Sequence, residues 1–581
     1  MAVQQPLGET TGSSSAVAES PVARAEVEGV PVFWSQAEGP LRAVLFFRVG
    51  RIDESLPTNG ITHLVEHLAL TRVGQRPFQY NAFVEGLLTG FVAGGSEEEI
   101  VEFYEVVADA LTRLPLERLE NEGRILETEA AGRRSGVIDA LLAVRFGARG
   151  WGLLNYLEYG LKSSAEQVEA WRAEAFTREN AALMLTGPIP GNLRLSLPHG
   201  NRRPVPPLTH PRYSLPAWMS MASPGVGIAL LAERSTQLTA VLHIAERRAQ
   251  SRLRYQDAVS YQVGVGYLRL DAATAHVTLF ADALPDNAAR VRDGLLSVME
   301  DLAEHGPSEE ELRAEVEFAR KSFQQPGQAL SRLQSAIASE LYGAPCLSAD
   351  HVLKELEGSS GAELAQALRD ALPSAIAVVP NGVAVEHPKF QAVPDWSRER
   401  LKGRGRPLRA FARARANRLI VAPEGVTYLR DEARYVTIRY GELAGVLRWN
   451  DGSRTLIADN ASRIHVRPAD WHGGAQAVKE IDHRVPPDLV IQAGERPKPD
   501  PWAIVTPVKM STIIRRGILW VLALFFWIVA LGLGVEAVEG TGGPDAGGIA
   551  IAYAVLALIC SVPLALPYLR EAVRSRRPAK R

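Results

Sequence analysis

The sequence predicts a multidomain α+β protein that ends in two membrane-spanning helices. The chain has 581 residues, and at roughly 150 residues per domain it should fold into about four units. Its first two thirds contain the same succession of elements twice, which indicates an internal duplication of an α+β unit. Two apolar stretches without charged residues lie near its end, and each is long enough to cross a bilayer.

Composition narrows the possible functions. With 64 basic and 66 acidic residues the formal net charge is -2, so the chain has no overall positive field to attract nucleic acid. Cys346 and Cys560 are its two cysteines, which excludes a disulfide-rich scaffold and a zinc site made of thiolates. We therefore expect no nucleic-acid partner.

The start of the chain predicts a disordered leader over residues 1–25, because this segment is rich in Ser, Thr and Gly and has no apolar periodicity. It lacks the basic start and apolar core of a secretory signal peptide, so synthesis into the cytoplasm is expected.

The two copies of the α+β unit are predicted over residues 26–205 and 206–390. Each begins with an apolar strand, at residues 43–49 or 226–231, and continues through a helix and further strand to a long acidic helix. Polar, proline-rich joints end both copies.

Residues 391–416 form a predicted basic linker. From residue 398 to residue 418 there are nine basic residues and one acidic residue, Glu399. A solvated linker explains such a run; contact with anionic membrane lipid is the alternative.

Residues 417–497 are predicted to form a small β-rich domain, because short alternating segments precede one helix. The expected strands are residues 418–422, 426–429, 436–438, 446–449, 455–457 and 464–466, and the expected helix is 475–485. This order resembles a bacterial pleckstrin-homology-like (PH-like) domain.

The apolar stretches, residues 517–535 and 548–569, predict a transmembrane hairpin. Basic residues precede the first stretch and fill the tail 570–581, whereas the intervening residues 536–547 contain none. The positive-inside rule then places both ends of the chain in the cytoplasm. A buried helical hairpin of a soluble domain is the alternative interpretation.

One motif carries chemistry. His63 and His67 lie one helical turn apart in an apolar context, so both imidazoles should point into one site. Two neutral imidazoles suit zinc, and Glu66 beside them can act as general base on a metal-bound water. The pattern is the inverted zinc-protease motif, His-x-x-Glu-His, although isolated core or surface histidines produce it by chance too.

Such a site needs a third ligand from elsewhere. Glu129 is the best candidate, since it lies on a predicted helix over residues 116–134 with Glu122 on the same face. On spacing alone, a solvated acidic helix is the favoured interpretation of these glutamates.

Residues 30–54 followed by residues 60–68 resemble the amino-terminal domain of the M16 metallopeptidases, the insulinase, pitrilysin and mitochondrial-processing-peptidase family. In that family a Glu and a second Glu seven positions later complete the metal site, and Glu122 and Glu129 keep this offset. The resemblance implies that His63, His67 and Glu129 hold one zinc per chain. It also implies that Glu66 activates water and that Glu122 supports a histidine ring from outside the ligand set.

The second copy supports the same family. Residues 253–263 resemble the M16 second-domain segment in which an Arg and a Tyr seven positions later bind the substrate backbone, which assigns this role to Arg254 and Tyr261. Without the resemblance, a surface cation would be the favoured interpretation of Arg254. The second copy lacks the His-x-x-Glu-His motif and is predicted to be metal-free.

One departure concerns substrate binding. The family pairs its substrate with a polar strand, and the sequence at the expected place reads Val92-Ala93-Gly94-Gly95.

The predicted function is a membrane-anchored zinc metallopeptidase that hydrolyses peptides or unfolded segments. Family members enclose substrate between two halves, and this chain resembles one half, so a second M16-type subunit, either a second copy or a related chain, is expected as partner together with membrane lipid. The alternative is a catalytically inactive M16-like subunit that binds peptide or scaffolds a membrane complex.

Overall fold

The structure is a computed structural model that describes residues 22–132, 136–325, 328–408 and 417–495. Within these ranges every helix is too short or too polar to traverse a bilayer. Both predicted spans and the basic tail lie outside the described residues, as does the predicted leader up to residue 21. The prediction of disorder is wrong for residues 23–25, which belong to the strand Ala23–Val27.

The first module is built on a six-stranded sheet in the order β1-β2-β6-β3-β5-β4. Its strands are β1 Ala23–Val27, β2 Val30–Trp34, β3 Leu41–Phe47, β4 Gln79–Val84, β5 Thr89–Gly95 and β6 Ala181–Leu185. Its helices are α1 Ile61–Thr71, α2 Glu97–Thr112, α3 Leu119–Ala131, α4 Val137–Phe146 and α5 Ala165–Ala175. The main apolar core lies between one face of the sheet and α1, α2 and α5.

The second module repeats this plan with a sheet in the order β12-β7-β11-β8-β10-β9. Its strands are β7 Ala217–Met221, β8 Gly225–Glu233, β9 Val263–Arg269, β10 Thr274–Asp282, β11 Ile376–Pro380 and β12 Gln391–Ala392. Its helices are α6 Thr236–Ala249, α7 Ala288–His305, α8 Glu309–Phe323, α9 Gln328–Tyr342, α10 Ala349–Gly358 and α11 Gly361–Ala371.

The two sheets have matching topology. In each, the closing strand (β6 or β11) lies between a parallel neighbour and an antiparallel one, and two further antiparallel strands follow the latter, so five strands correspond. This is the arrangement that an internal duplication produces. The sixth strands differ, since β1 is antiparallel to β2 whereas β12 is parallel to β7. Each module also packs one helix on the sheet of the other: α4 lies on the second sheet and α9 on the first.

The third module contains two four-stranded sheets, β13-β14-β15-β16 and β19-β18-β17-β20. Its strands are β13 Arg406–Pro407, β14 Arg418–Ala422, β15 Gly425–Leu429, β16 Tyr435–Arg439, β17 Leu443–Trp449, β18 Arg454–Ala458, β19 Arg463–Val466 and β20 Val490–Gly494, and its helix is α12 Gly474–Arg484. The six predicted strands and the helix agree with these bounds within a few residues. Strand β20, which lies parallel to β17, was not expected.

The predicted basic linker differs from expectation in its described part, residues 391–408. Strand β12 extends the second sheet by pairing with β7, and β13 extends a sheet of the third module by pairing with β14. Between them, Leu401 is buried against Ile420 and Leu429. Backbone pairing and one apolar anchor therefore fold this part onto both neighbouring modules.

Candidate metal centre

The helix that carries the His-x-x-Glu-His motif begins at an unusual cap. Gly60, with φ 96°, precedes α1 and provides no side-chain oxygen for the first amides. Glu54 replaces that cap: its carboxyl oxygens accept hydrogen bonds from the backbone N–H of Gly60 at 2.6 Å and of Thr62 at 2.9 Å. Burial raises the pKa of this carboxyl to about 7.

His63 and His67 face one another on the exposed side of α1. Their rings are perpendicular, with centroids 5.0 Å apart, as expected for residues one helical turn apart. Helix α3 packs against α1 and brings Glu129 to them: its Oε2 lies 3.9 Å from Nε2 of both histidines. Two elements that are distant in sequence thus converge on one point.

The donor set fits a zinc ion. One atom of each of the three side chains lies within 4.8 Å of the others, and the two Nε2 to carboxylate distances of 3.9 Å are close to the separation of about 3.3 Å between two ligands of a tetrahedral zinc. Two imidazoles and one carboxylate are a usual ligand set where zinc keeps a fourth position open. Residues His63, His67 and Glu129 could therefore hold a metal ion.

Both histidines are oriented by buried carboxylates. Nδ1 of His67 is 3.5 Å from Glu122, as the resemblance implies, and Nδ1 of His63 is 3.2 Å from Glu158. Because a carboxylate at Nδ1 leaves Nε2 available as the ligand atom, these contacts support the proposed ligand atoms. Sequence reasoning missed Glu158. It lies 95 positions after His63 in a segment without a recognisable motif, so no sequence signal identified it.

Glu66 lies beside the ligands. Its side chain is 4% exposed, and its Oε2 is 3.6 Å from Nε2 of His63. Burial raises the pKa of Glu66 to about 7, with His63 opposing the rise and Glu129 adding to it. A carboxyl group with this pKa can both accept and return a proton near neutral pH.

The two histidines differ electrostatically. Burial acts to lower the pKa of His63, but its hydrogen bond with Glu158 and the surrounding carboxylates outweigh burial and raise that pKa. Burial and the neighbouring His63 lower the pKa of His67, which favours the neutral imidazole that binds metal.

The predicted substrate residues lie together in the second module. Arg254 belongs to a π-helical segment, Gln250–Gln256, that continues α6. Its guanidinium carbon lies 4.9 Å from the ring centroid of Tyr261 and 5.5 Å from that of Tyr255. Tyr261 is 76% exposed, so its hydroxyl is accessible from solvent.

The sequence places the substrate-pairing strand at Val92–Gly95, and this prediction is wrong. These residues lie in β5, which is paired with β3 on one side and with β4 on the other. Both backbone edges of this strand are therefore occupied, and no peptide can pair with it. The neighbouring strand β4 forms one edge of the first sheet and packs against α1.

The second module has a related but incomplete arrangement. His243 on α6 is 2.7 Å from the buried Glu315 on α8, as His67 on α1 faces Glu122 on α3. Arg247 forms an ion pair with the same Glu315 at 2.6 Å.

Solved structures share this fold. A protease from Helicobacter pylori superposes with a TM-score of 0.52 at 12% identity, over 62% of this chain and 100% of that chain. The M16 inactive domain of a peptidase from Pseudomonas fluorescens gives 0.52 at 13% identity, over 63% and 100%. A chain of complex III2 from Candida albicans, with Inz-5 bound, gives 0.51 at 12% identity, over 62% and 96%. The chain thus has the M16 peptidase fold.

No family profile matches the sequence, and no curated protein matches it. At 12–13% identity the structural likeness establishes the fold alone. The function has to be argued from the site.

Proposed function

We propose that this chain is a membrane-anchored zinc metallopeptidase that hydrolyses peptides or unfolded segments of proteins. The observation that carries the proposal is the convergence of His63, His67 and Glu129, with Glu66 buried beside them. Ligands, a proton-transfer group and carboxylates that orient the ligands occur together, as peptide hydrolysis at a metal requires.

Each side chain then has a defined task. Zinc, when bound, supplies a Lewis acid that polarises a carbonyl and lowers the pKa of water. His63, His67 and Glu129 hold it, and Glu158 and Glu122 keep the imidazole rings in orientation. The Glu66 carboxylate takes a proton from the attacking water and returns it to the leaving amine.

Peptide binding is proposed at the outer edge of β4. An edge strand offers unpaired N–H and C=O groups to an extended chain, and β4 is an edge strand of the first sheet that packs against α1. Arg254 and Tyr261 carry hydrogen-bond donors for a substrate carbonyl. A second M16-type subunit would place such a pair opposite the metal site.

The proposed anchor is the pair of apolar stretches at residues 517–535 and 548–569. The distribution of basic residues around them supports a cytoplasmic peptidase. Anionic lipid is the proposed contact of the basic run that starts at Arg398.

Substitution of Glu66 tests the enzymatic reaction. We expect wild-type protein to bind one zinc per chain and to cleave members of an unbiased peptide library. Glu66→Gln should keep the metal and lose activity by about 10²–10⁴-fold, because the carboxylate moves protons and is not a ligand. Full activity in Glu66→Gln, or wild-type protein without zinc, would refute the proposal.

Substitution of Glu129 tests the ligand set. Glu129→Gln should weaken zinc binding, because an amide replaces an anionic ligand. Glu120→Gln is a matched control at an exposed position of the same helix. Equal zinc affinity in the two variants would remove Glu129 from the ligand set.

The alternative is a non-catalytic M16-like subunit. It is favoured by the similarity to an M16 domain described as inactive and to a chain of complex III2. Stable metal binding without any hydrolysis in the wild type would favour this alternative.

A further inference from the structure

We propose that the third module is a working part of the metal site, because it holds in place the loop whose Glu158 positions His63. This inference rests on the proposed metal binding of the first module. The loop, residues 147–162, is here called the Glu158 loop. It lies between the amino-terminal end of α1 on one side and the third module on the other.

Glu158 is fixed from two directions. Its Oε2 lies 3.2 Å from Nδ1 of His63, and its Oε1 lies 3.4 Å from the guanidinium of Arg51. The side chain of Glu158 is 3% exposed and that of Arg51 is 12% exposed, so solvent screens these contacts weakly. A carboxylate held in this way orients the imidazole ring; it does not itself reach the ligand atom.

The Glu158 loop is tied directly to the start of α1. Asn59 is fully buried, and its side-chain amide donates to the carbonyl groups of Leu153, Tyr156 and Leu157, the shortest contact being 2.9 Å. The backbone of Gly160 donates back to the carbonyl of Asn59 at 2.8 Å. These bonds fix the height of the loop against the first turn of α1, where His63 lies.

The Glu158 loop lies directly against the start of α1. A Cβ atom at Gly60 would lie 2.6 Å from Cβ of Glu158, and Gly60 also has φ 96°. Any movement of the Glu158 loop away from α1 therefore changes the position of the carboxylate relative to His63.

The other side of the loop packs on the third module. Loop residues share one apolar cluster with the third module, and its buried members are Leu56, Ala148, Leu153, Tyr156, Ala444, Leu447, Ile457 and Ile491. The backbone of Ala148 donates to the carbonyl of Asp459 at 2.8 Å. At Gly147 a Cβ would meet that same carbonyl oxygen at 2.0 Å, so the two backbones are in direct contact.

One exposed residue of the third module reaches this loop. The guanidinium carbon of Arg463, on β19, lies 5.4 Å from the ring centroid of Tyr156. The carbonyl of Tyr156 is one of the three that accept from Asn59. Arg463 is thus connected to His63 through Tyr156 and Glu158, without touching the metal ligands.

The first test replaces the positioning residue and measures metal affinity. Zinc affinity is determined by competition with a chromophoric chelator, and the visible absorption of the cobalt(II)-loaded protein reports ligand geometry. Glu158→Ala should weaken zinc binding by about 10–100-fold and change the cobalt spectrum. Glu158→Gln retains an oxygen that accepts from Nδ1 and should recover much of the affinity. Wild-type affinity and spectrum in Glu158→Ala would refute the positioning role.

The second test acts from the third module of the full chain. Arg463→Ala should weaken zinc binding by about two- to fivefold, the value of a cation–π contact near the surface, with a cobalt spectrum shifted toward that of Glu158→Ala. Arg467→Ala is the matched control, a half-exposed arginine of the same module whose partner is Asp470. Unfolding temperatures of both variants verify that the fold is retained.

A third variant perturbs the contact between the Glu158 loop and the third module more strongly. Leu447→Ala removes a buried side chain of the shared cluster and should weaken zinc binding more than Arg463→Ala does. If Arg463→Ala and Leu447→Ala bind zinc like the wild type, the third module does not act on the site. Wild-type protein that binds no zinc would instead refute the proposed function, so the two failures are distinguishable.

Discussion

Replacing Glu54 with glutamine should make the stability of the metal-free first module less dependent on pH. The Glu54 carboxyl is buried at the start of α1 and accepts hydrogen bonds from two backbone amides. Burial raises its pKa from 4.5 to about 7, because the ionised form loses its hydration inside the protein. Gln carries no charge at any pH, like the protonated acid, and its one accepting oxygen keeps one of the two backbone hydrogen bonds.

The coupling between ionisation and folding gives the sign and the size of the change in stability with pH. Below about pH 4.5 the carboxyl is protonated in both the folded and unfolded chains, so its contribution to stability is fully present. As the pH rises toward 7, the unfolded chain ionises first and stability is lost. At about 1.4 kcal/mol for each pH unit between the two pKa values, the loss approaches about 3 kcal/mol.

Thermal unfolding in the presence of EDTA, at pH 5.5 and pH 8, measures this effect. About 1.4 kcal/mol is already lost at pH 5.5, so about 2 kcal/mol is lost between these two pH values. In a domain of this size that corresponds to roughly 4–8 °C in the unfolding temperature. In Glu54→Gln the unfolding temperature should fall less between pH 5.5 and pH 8, by the amount that Glu54 contributes. Glu120→Gln, at an exposed position of α3, should behave like the wild type. The reasoning is refuted if wild type and Glu54→Gln lose the same number of degrees between the two pH values.

Two further predictions concern substrate and topology. Arg254→Ala and Tyr261→Phe should each lower kcat/KM by about 10²-fold with zinc content unchanged, since each donor acts on substrate; wild-type rates in both variants would remove them from the site. For topology, single cysteines are introduced at Gly542 and Ser575 after the two natural cysteines are replaced. In intact cells a membrane-impermeant thiol reagent should label the first position and spare the second. The reverse pattern would place the peptidase outside the cytoplasm.

Local patterns in the sequence were sufficient for much of the fold. The helical context of His63 and His67 and the strands β14 to β19 follow from periods of 3.6 and 2 residues. The predicted bounds of those strands lie close to those of the structure. The duplication was visible because both copies have the same order of elements, which is a property of sequence alone. Strand β20 was missed because a parallel strand that returns after a helix has no local signal.

Long-range contacts account for the remaining errors. The prediction that substrate pairs with Val92–Gly95 is wrong, because the neighbours of a strand depend on the whole sheet. In this sheet β4 occupies the edge of the strand that contains these residues. Glu122 and Glu129 could be named because the resemblance supplied an offset within one helix. Glu158 approaches His63 from a distant loop, and only the packing of that loop brings the two together.

The His243–Glu315 pair of the second module shows what a contact between a histidine and a buried glutamate does where the other metal-site residues are missing. It joins α6 to α8 in a module that has neither the His-x-x-Glu-His motif nor a counterpart of Glu129, with Arg247 supplying the balancing charge. Its existence means that a histidine and a buried glutamate can clamp this pair of helices without any metal. The equivalent clamp between His67 and Glu122 should then form during folding, before any ion arrives. An ion that enters a site already assembled by these contacts has little chain entropy left to remove, so metal binding at the proposed site would not be required for the protein to fold.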